Sequence, residues 1–233
     1  MKLIKNQIAF LKEGLLEFKS TGSLFPTSTK AALAMLAPLR SKMTQNCRIL
    51  EVGPGTGSIT KHIIPLLQPG MTLTICEINP NFMQYLKTEL EQMPDFQARR
   101  GQIEFFLGPV QDLSAETQYD LIVCALPFLN FPIALLEEIF EKLINLSHNN
   151  TLMSFYQYMG LKRIRDLFSG LAKKQASIAA TQYIERQVCA RQTNKSEVWF
   201  NILPICVYTL NMNPEIQPAL SPCLTAKSTL ANN

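Results

Sequence analysis

The stretch LEVGPGTG, residues 50–57, constrains the fold more than any other part of the chain. It closes an apolar run, CRILEVG (47–53), and opens a helix-forming one, SITKHIIPLL (58–67). Gly53, Gly55 and Gly57 let the backbone turn sharply and come close to a ligand, where a Cβ would collide. The pattern is E-x-G-x-G-x-G, whereas a dinucleotide fingerprint reads G-x-G-x-x-G.

The alternation begun there continues. TLTICEI (72–78) reads as the second strand, and Asn79 with Pro80 supplies the N-cap and first residue of a helix to about Leu90. IEFFL (103–107), YDLIVCAL (119–126) and TLMSFYQY (151–158) read as strands three to five, with a helix from Ala134 to Asn145. LKRIRDLFSGLAKK (161–174) reads as a further helix, and QYIERQVC (182–189) and EVWFNILPICVYTL (197–210) as the last two strands. Strands alternating with helices predict an α/β fold: a seven-stranded, mainly parallel, doubly wound sheet. Before it, Ile4, Ile8, Leu11, Leu15 and Phe18 trace one face of a helix rimmed by Lys2, Lys5, Lys12 and Lys19. Thr27 or Ser28 can cap a second helix carrying Ala31 to Leu39. The expected organisation is N-terminal helices at 1–40, one main domain at 41–210, and a loose tail at 211–233, where large apolar groups are few.

Composition narrows the class. At 233 residues, with 47% hydrophobic and 17% charged, the chain is globular. A net charge of +4 suits a surface that meets phosphates, on lipid or on RNA. Six cysteines without a C-x-x-C pair, and two histidines, argue against a zinc site. Cys47, Cys76 and Cys124 fall in or beside predicted strands and read as reduced core thiols of a cytosolic protein. Lys12, Glu13 and Glu17 interrupt any secretory h-region. The uncharged stretch from Leu121 to Leu136 is short for a membrane span and broken by Pro127, Asn130 and Pro132, so no transmembrane helix is expected.

Two carboxylates flank the turn. Glu51 lies just before the glycines, where it can attract a cationic amino group. Glu77 ends strand two, 20 residues after Gly57, where a carboxylate can accept hydrogen bonds from both hydroxyls of a ribose.

Loop, carboxylate, strand order and the stretch CALPFLNFP (124–132) together resemble the class I S-adenosylmethionine-dependent methyltransferases. The resemblance implies a Rossmann-like fold and S-adenosylmethionine as cofactor. Glu51 and the three glycines would hold the donor's methionine end, Glu77 and Ile78 its ribose, and Val110 its adenine. Ala125 would also border the donor. One departure is plain: where the family often has an acidic residue after strand three, this chain has Pro109, with Asp112 three residues on.

Methyl transfer from a sulfonium is an in-line displacement. The protein aligns the nucleophile with the methyl carbon and strips its water, with no metal or covalent intermediate. Enzymes of this class that methylate a base amino group usually place Asn or Asp where this chain has Ala125. Carbonyls remain at Ala125 and Leu126, since Pro127 favours an extended backbone before it. Leu126, Pro127 and Phe128 also suit simple core packing after a buried strand.

STGSLFPTS (20–28), LEVGPGTGSIT (50–60), CALPFLNFP (124–132), FYQYMG (155–160) and VWFNILPICVYTL (198–210) occur in that order. Over roughly residues 5–210 they look like the bacterial soluble phospholipid N-methyltransferases, which convert phosphatidylethanolamine stepwise toward phosphatidylcholine. That resemblance implies a donor lid at Thr21 and Gly22, and an amine site walled by Leu126, Pro127 and Phe128 with Tyr156 and Tyr158. It also implies headgroup contacts from Arg163 and Arg165. The stripe of Ile4, Ile8, Leu11 and Leu15 and the basic helix at 161–174 suit the plane of a bilayer, and suit packing on the core as well. The expectation is a cytoplasmic enzyme, peripheral on the inner membrane face, with phospholipid and an anionic membrane surface as partners and no nucleic acid. The rivals are an rRNA adenine dimethyltransferase-like enzyme, a methyltransferase of another aminolipid such as ornithine lipid, and a donor-binding protein without catalysis.

Overall fold

The computed structural model describes residues 28–159, 171–199 and 204–218. Seven strands form one sheet: β1 (Arg48–Val52), β2 (Thr72–Glu77), β3 (Ile103–Leu107), β4 (Tyr119–Cys124), β5 (Ser147–Tyr158), β6 (Gln192–Val198) and β7 (Ile205–Asn211). Their order is β3-β2-β1-β4-β5-β7-β6. The first five pair in parallel, and β7 runs antiparallel to both β5 and β6. Two reversals return β6 to the common direction, so six strands end on one rim. This is the mainly parallel, doubly wound sheet expected from the alternation, and the Rossmann-like class I fold that the resemblance implies.

The helices are α1 (Thr29–Arg40), α2 (Thr60–Ile63), α3 (Pro80–Glu91), α4 (Pro94–Arg99), α5 (Ile133–Asn145) and α6 (Leu171–Arg191). Their starts follow local chemistry. Ser28 caps α1 by accepting from the Ala31 amide at 3.2 Å. Asn79 caps α3 by accepting from the Asn81 and Phe82 amides, with Pro80 as first helical residue. One apolar layer packs Leu136, Phe140 and Ile184 of α5 and α6 on Phe155 and Ile122. The other packs Ala31, Met35 and Leu36 of α1, with Ile63 and Leu86, on Ile49, Ile75 and Val123. Covered on both faces, the central strands are near-continuous apolar runs.

Two expectations need correction. QYIERQVC (182–189) is not a strand but the end of helix α6. Ala180, Thr181, Ile184, Gln187 and Arg191 are the buried positions among its described side chains, at spacings of one, three, three and four that stay on one helical face. And 197–210 is not one strand: β6 ends at Val198, β7 begins at Ile205, and Pro204, which cannot donate to a ladder, lies between.

Beyond β7 the chain stays packed at first. Met212 is fully buried, and the Arg191 guanidinium donates to the carbonyls of Asn213 at 2.8 Å and Ile216 at 2.6 Å. Residues 219–233, the N-terminal stripe with Thr21 and Gly22, and Arg163 and Arg165 lie outside the described residues. Cys47, Cys76 and Cys124 are buried free thiols. Among the described residues, no helix is long and apolar enough to cross a membrane and no group of side chains could hold a metal ion.

Candidate active site

The strand rim carries an open cleft. Gly53, Glu77, Ile78, Val110 and Leu126, all candidate site residues of the sequence, line it. Gly108, Gln111, Phe131, Leu135 and Ile139 line it too and were not foreseen. The apolar pair Leu135 and Ile139, four apart in α5, was the available signal. Asp112 is exposed and outside the lining, whereas Gln111 beside it faces the cleft. Gln111 is therefore a polar side chain that this part of the lining offers in place of Asp112.

The glycine turn is held by its neighbours. Gly53 donates to the Cys76 carbonyl, and Ala125 donates to the Val52 carbonyl, both at 2.9 Å. Gly53, Gly55 and Gly57 have φ of +71°, +56° and +81°, the left-handed region that favours glycine. A Cβ on Gly53 would stand 2.8 Å from Leu126 Cδ2, and one on Gly57 would strike Leu86. The expected crowding at these two positions thus comes from the protein's own side chains. Of the three turn glycines, Gly55 alone would place a Cβ in open space.

Glu77 is 5% exposed. It accepts from the Asn79 amide at 2.8 Å and the Gly55 amide at 3.2 Å. Burial still raises its carboxyl above the ordinary range, against the lowering effect of those amides. Glu51 is fully buried, and neither of its oxygens makes a hydrogen bond among the described residues. Burial lifts it to about 8, offset in part by the nearby Thr60 and reinforced by the charge of Glu77. Strand register places Glu51, Val123, Ser154 and Thr209 in one row across the sheet. The hydroxyls of Thr60, Ser154 and Thr209 are also buried without partners. A polar band under α1 was not legible from the sequence, because strand pairing creates it.

A methionine-type donor fits these residues. An unpaired buried carboxyl lies beneath the turn for a cationic amino group, an acid ends β2 for a ribose, and an apolar slot at Val110 and Phe131 suits a base.

Past β4 the geometry revises the wall. Phe128 is 2% exposed, its ring 5.0 Å from Phe140 and 5.4 Å from Phe155. It is a core side chain and does not face a substrate. Pro127 is exposed with φ −80° and ψ 70°, and the Phe128 amide donates to the Leu126 carbonyl at 2.9 Å. That is an inverse γ-turn, which engages the Leu126 carbonyl. The Leu126 side chain packs on Gly53 and lines the cleft. The Ala125 carbonyl accepts no bond among the described residues.

Tyr156 and Tyr158 are half-buried at the end of β5, ring centroids 5.5 Å apart and perpendicular. They share the sheet face of Ala125, Ser154 and Glu51. Burial raises the Tyr158 phenol, so it stays a neutral hydroxyl, a hydrogen-bond partner rather than a base. Burial likewise holds Cys76 and Cys124 as thiols, Cys124 at about 12, so neither is a ready nucleophile.

A family model described as a methyltransferase domain matches residues 49–148. The chain is 30% identical over 132 residues to an ornithine lipid N-methyltransferase of Singulisphaera acidiphila, covering 53% of this chain and 68% of that one. Its fold is similar to an O-methyltransferase involved in tomaymycin synthesis from Streptomyces achromogenes, in complex with SAM, at TM-score 0.58 and 13% identity over 87% of this chain and 89% of that one. It is also similar to a magnesium protoporphyrin IX methyltransferase from Synechocystis PCC 6803 with bound SAH, at TM-score 0.57 and 16% identity, covering 77% and 81%.

Proposed function

Because the chain belongs to the S-adenosylmethionine-dependent methyltransferases, we propose that it methylates the headgroup amine of a membrane aminolipid, phosphatidylethanolamine first. The observation that carries this reading is the pairing of Ala125 with Tyr156 and Tyr158 on one sheet face at the rim. Ala125 has no side chain to grip a planar base amino group. Its free carbonyl and two phenols suit a small, flexible amine instead. The aromatic faces attract a methylated ammonium by roughly 0.5–2 kcal/mol, which keeps a partly methylated headgroup in place.

The donor supplies an electrophilic methyl group. The residues of the chain do the rest. Glu51 takes the donor's amino group, Glu77 its ribose, and Val110 its adenine. Leu126 and Phe131 exclude water. The Ala125 carbonyl and the tyrosine hydroxyls orient the neutral amine for in-line attack. Membrane contact by residues 1–20 and 161–174, with a lid at Thr21 and Gly22 and headgroup contacts from Arg163 and Arg165, belongs to the same reading.

A second reading, ornithine lipid as substrate, is favoured by the name of the similar enzyme from Singulisphaera acidiphila. The test is radiolabelled methyl transfer from S-adenosylmethionine with vesicles of either aminolipid, or bulk RNA, offered in parallel. Label in a phosphatidylethanolamine headgroup supports the first reading, and label only in ornithine lipid supports the second. Label in RNA alone overturns both.

A further inference from the structure

Trp199 follows the last residue of β6 and is 61% exposed, the most exposed of the large apolar side chains described. It is the single Trp of the chain. Its place is determined by topology. β6 shares the direction of the parallel strands, so Trp199 lies on the rim that carries the cleft. The β6–β7 connection sits beside the end of β5: Val198 is in register with Ile205, Ile205 with Tyr158, and the Met159 amide donates to the Pro204 carbonyl at 2.7 Å.

The strand leading there is polar. Gln192, Thr193, Asn194 and Lys195 are all exposed, and Lys195 pairs with Glu197 at 3.5 Å. An exposed indole at the end of a polar edge strand is thus a local change of character. The sequence that follows it to Pro204 reads Phe200, Asn201, Ile202 and Leu203. Indole concentrates at the membrane–water interface, where its ring is shielded and its N–H stays wet. The net charge of +4 complements an anionic leaflet.

We propose that Trp199 is an interfacial anchor that seats the amine-site rim on the lipid bilayer. The inference rests on the aminolipid reading above. It adds a docking point on the sheet itself, on the β5 side of the mouth, two strands across from Tyr158. A headgroup amine would then reach Tyr156 and Tyr158 without its lipid leaving the bilayer.

The chain's single indole reports on the test directly. Vesicles of mixed phosphatidylethanolamine and phosphatidylglycerol should shift its emission to the blue, and lipids brominated near the headgroup should quench it. Trp199→Ala should bind such vesicles at least tenfold more weakly and lose methyl transfer to vesicle lipid by a similar factor. It should keep wild-type turnover on short-chain, monomeric phosphatidylethanolamine and an unchanged Tm. Emission that stays unshifted while protein sediments with vesicles overturns the anchor. So does a loss on monomeric and vesicle substrate alike, or a blue shift that appears with protein concentration alone, which would assign Trp199 to a second copy. Wild-type protein that methylates neither form of aminolipid removes the functional reading, while the emission shift still answers for docking.

Discussion

Glu77 at the end of β2 accepts the amide hydrogen of Gly55 in the turn after β1, at 3.2 Å, while its other oxygen holds Asn79 at 2.8 Å. One carboxylate thus fixes both the glycine turn and the start of α3. Glutamine has a single side-chain acceptor oxygen and cannot serve both amides. Hydrogen bonds to charged groups are worth roughly 1.5–3 kcal/mol. Glu77→Gln should therefore weaken S-adenosylhomocysteine binding by about 10- to 100-fold by calorimetry, with unchanged far-UV dichroism.

Glu51 makes a pH-dependent prediction. Its folded carboxyl stands at about 8 against an ordinary 4.5. A raised folded value means that its contribution is full below the unfolded value and is lost as pH rises through the folded one. Relative to Glu51→Gln, the wild type should lose on the order of a few kcal/mol between about pH 4.5 and 8. Urea titrations of both proteins across that window would test it, and parallel curves would refute it. If Glu51 takes the donor's cationic amino group, donor binding at pH 7 should release a proton. Binding heats would then depend on the buffer's ionisation enthalpy.

Gly53→Ala meets two obstacles. Its φ is +71°, and its new Cβ would stand 2.8 Å from Leu126 Cδ2. The left-handed conformation alone costs about 1–2 kcal/mol. Displacing Leu126 narrows the cleft it lines. Donor affinity and Tm should both fall. Adding Leu126→Ala should recover part of the affinity but not the backbone cost, a non-additivity that a double-mutant cycle reads.

Phe128, which the sequence suggested as substrate wall, should behave as core. Phe128→Ala removes a ring packed between Phe140 and Phe155 and should cost about 3–5 kcal/mol in urea unfolding. Phe128→Leu should cost less, and its KM for lipid should stay at the wild-type value. A raised KM in a stable Phe128→Leu protein would return the ring to the substrate site.

Tyr156→Phe and Tyr158→Phe keep the rings and remove the hydroxyls. Each should lower lipid turnover about tenfold, the worth of one hydrogen bond of roughly 1–1.5 kcal/mol, while donor affinity and Tm hold. Full turnover in both variants would assign the pair to packing alone.

The parallel half of the fold was legible because each of its signals is local. A buried parallel strand is a short apolar run, and Asn79-Pro80 and Ser28 announce helix starts within a residue or two. The glycine turn and Glu77 were legible for the same reason. Failures came where local and tertiary preferences diverge. Residues 182–189 are rich enough in β-compatible side chains to pass as a strand. Only the spacing of Ala180, Ile184, Gln187 and Arg191 along α6 distinguishes the helix. Phe128 misled because nothing in a sequence says which way a ring points after a strand ends. The band of Thr60, Ser154 and Thr209 with Glu51 needed strand register to be seen at all.

The place of β7 between β5 and β6 has a consequence for synthesis. The strand that fills the middle of this edge is the last of the seven to leave the ribosome. Until it emerges, β5 keeps an open edge and β6 has no partner, two templates for association with other chains. A nascent chain of this sequence is therefore exposed to misassembly until β7 has emerged. A premature stop before Ile205 would leave the donor turn and Glu77 encoded intact on a sheet that cannot close.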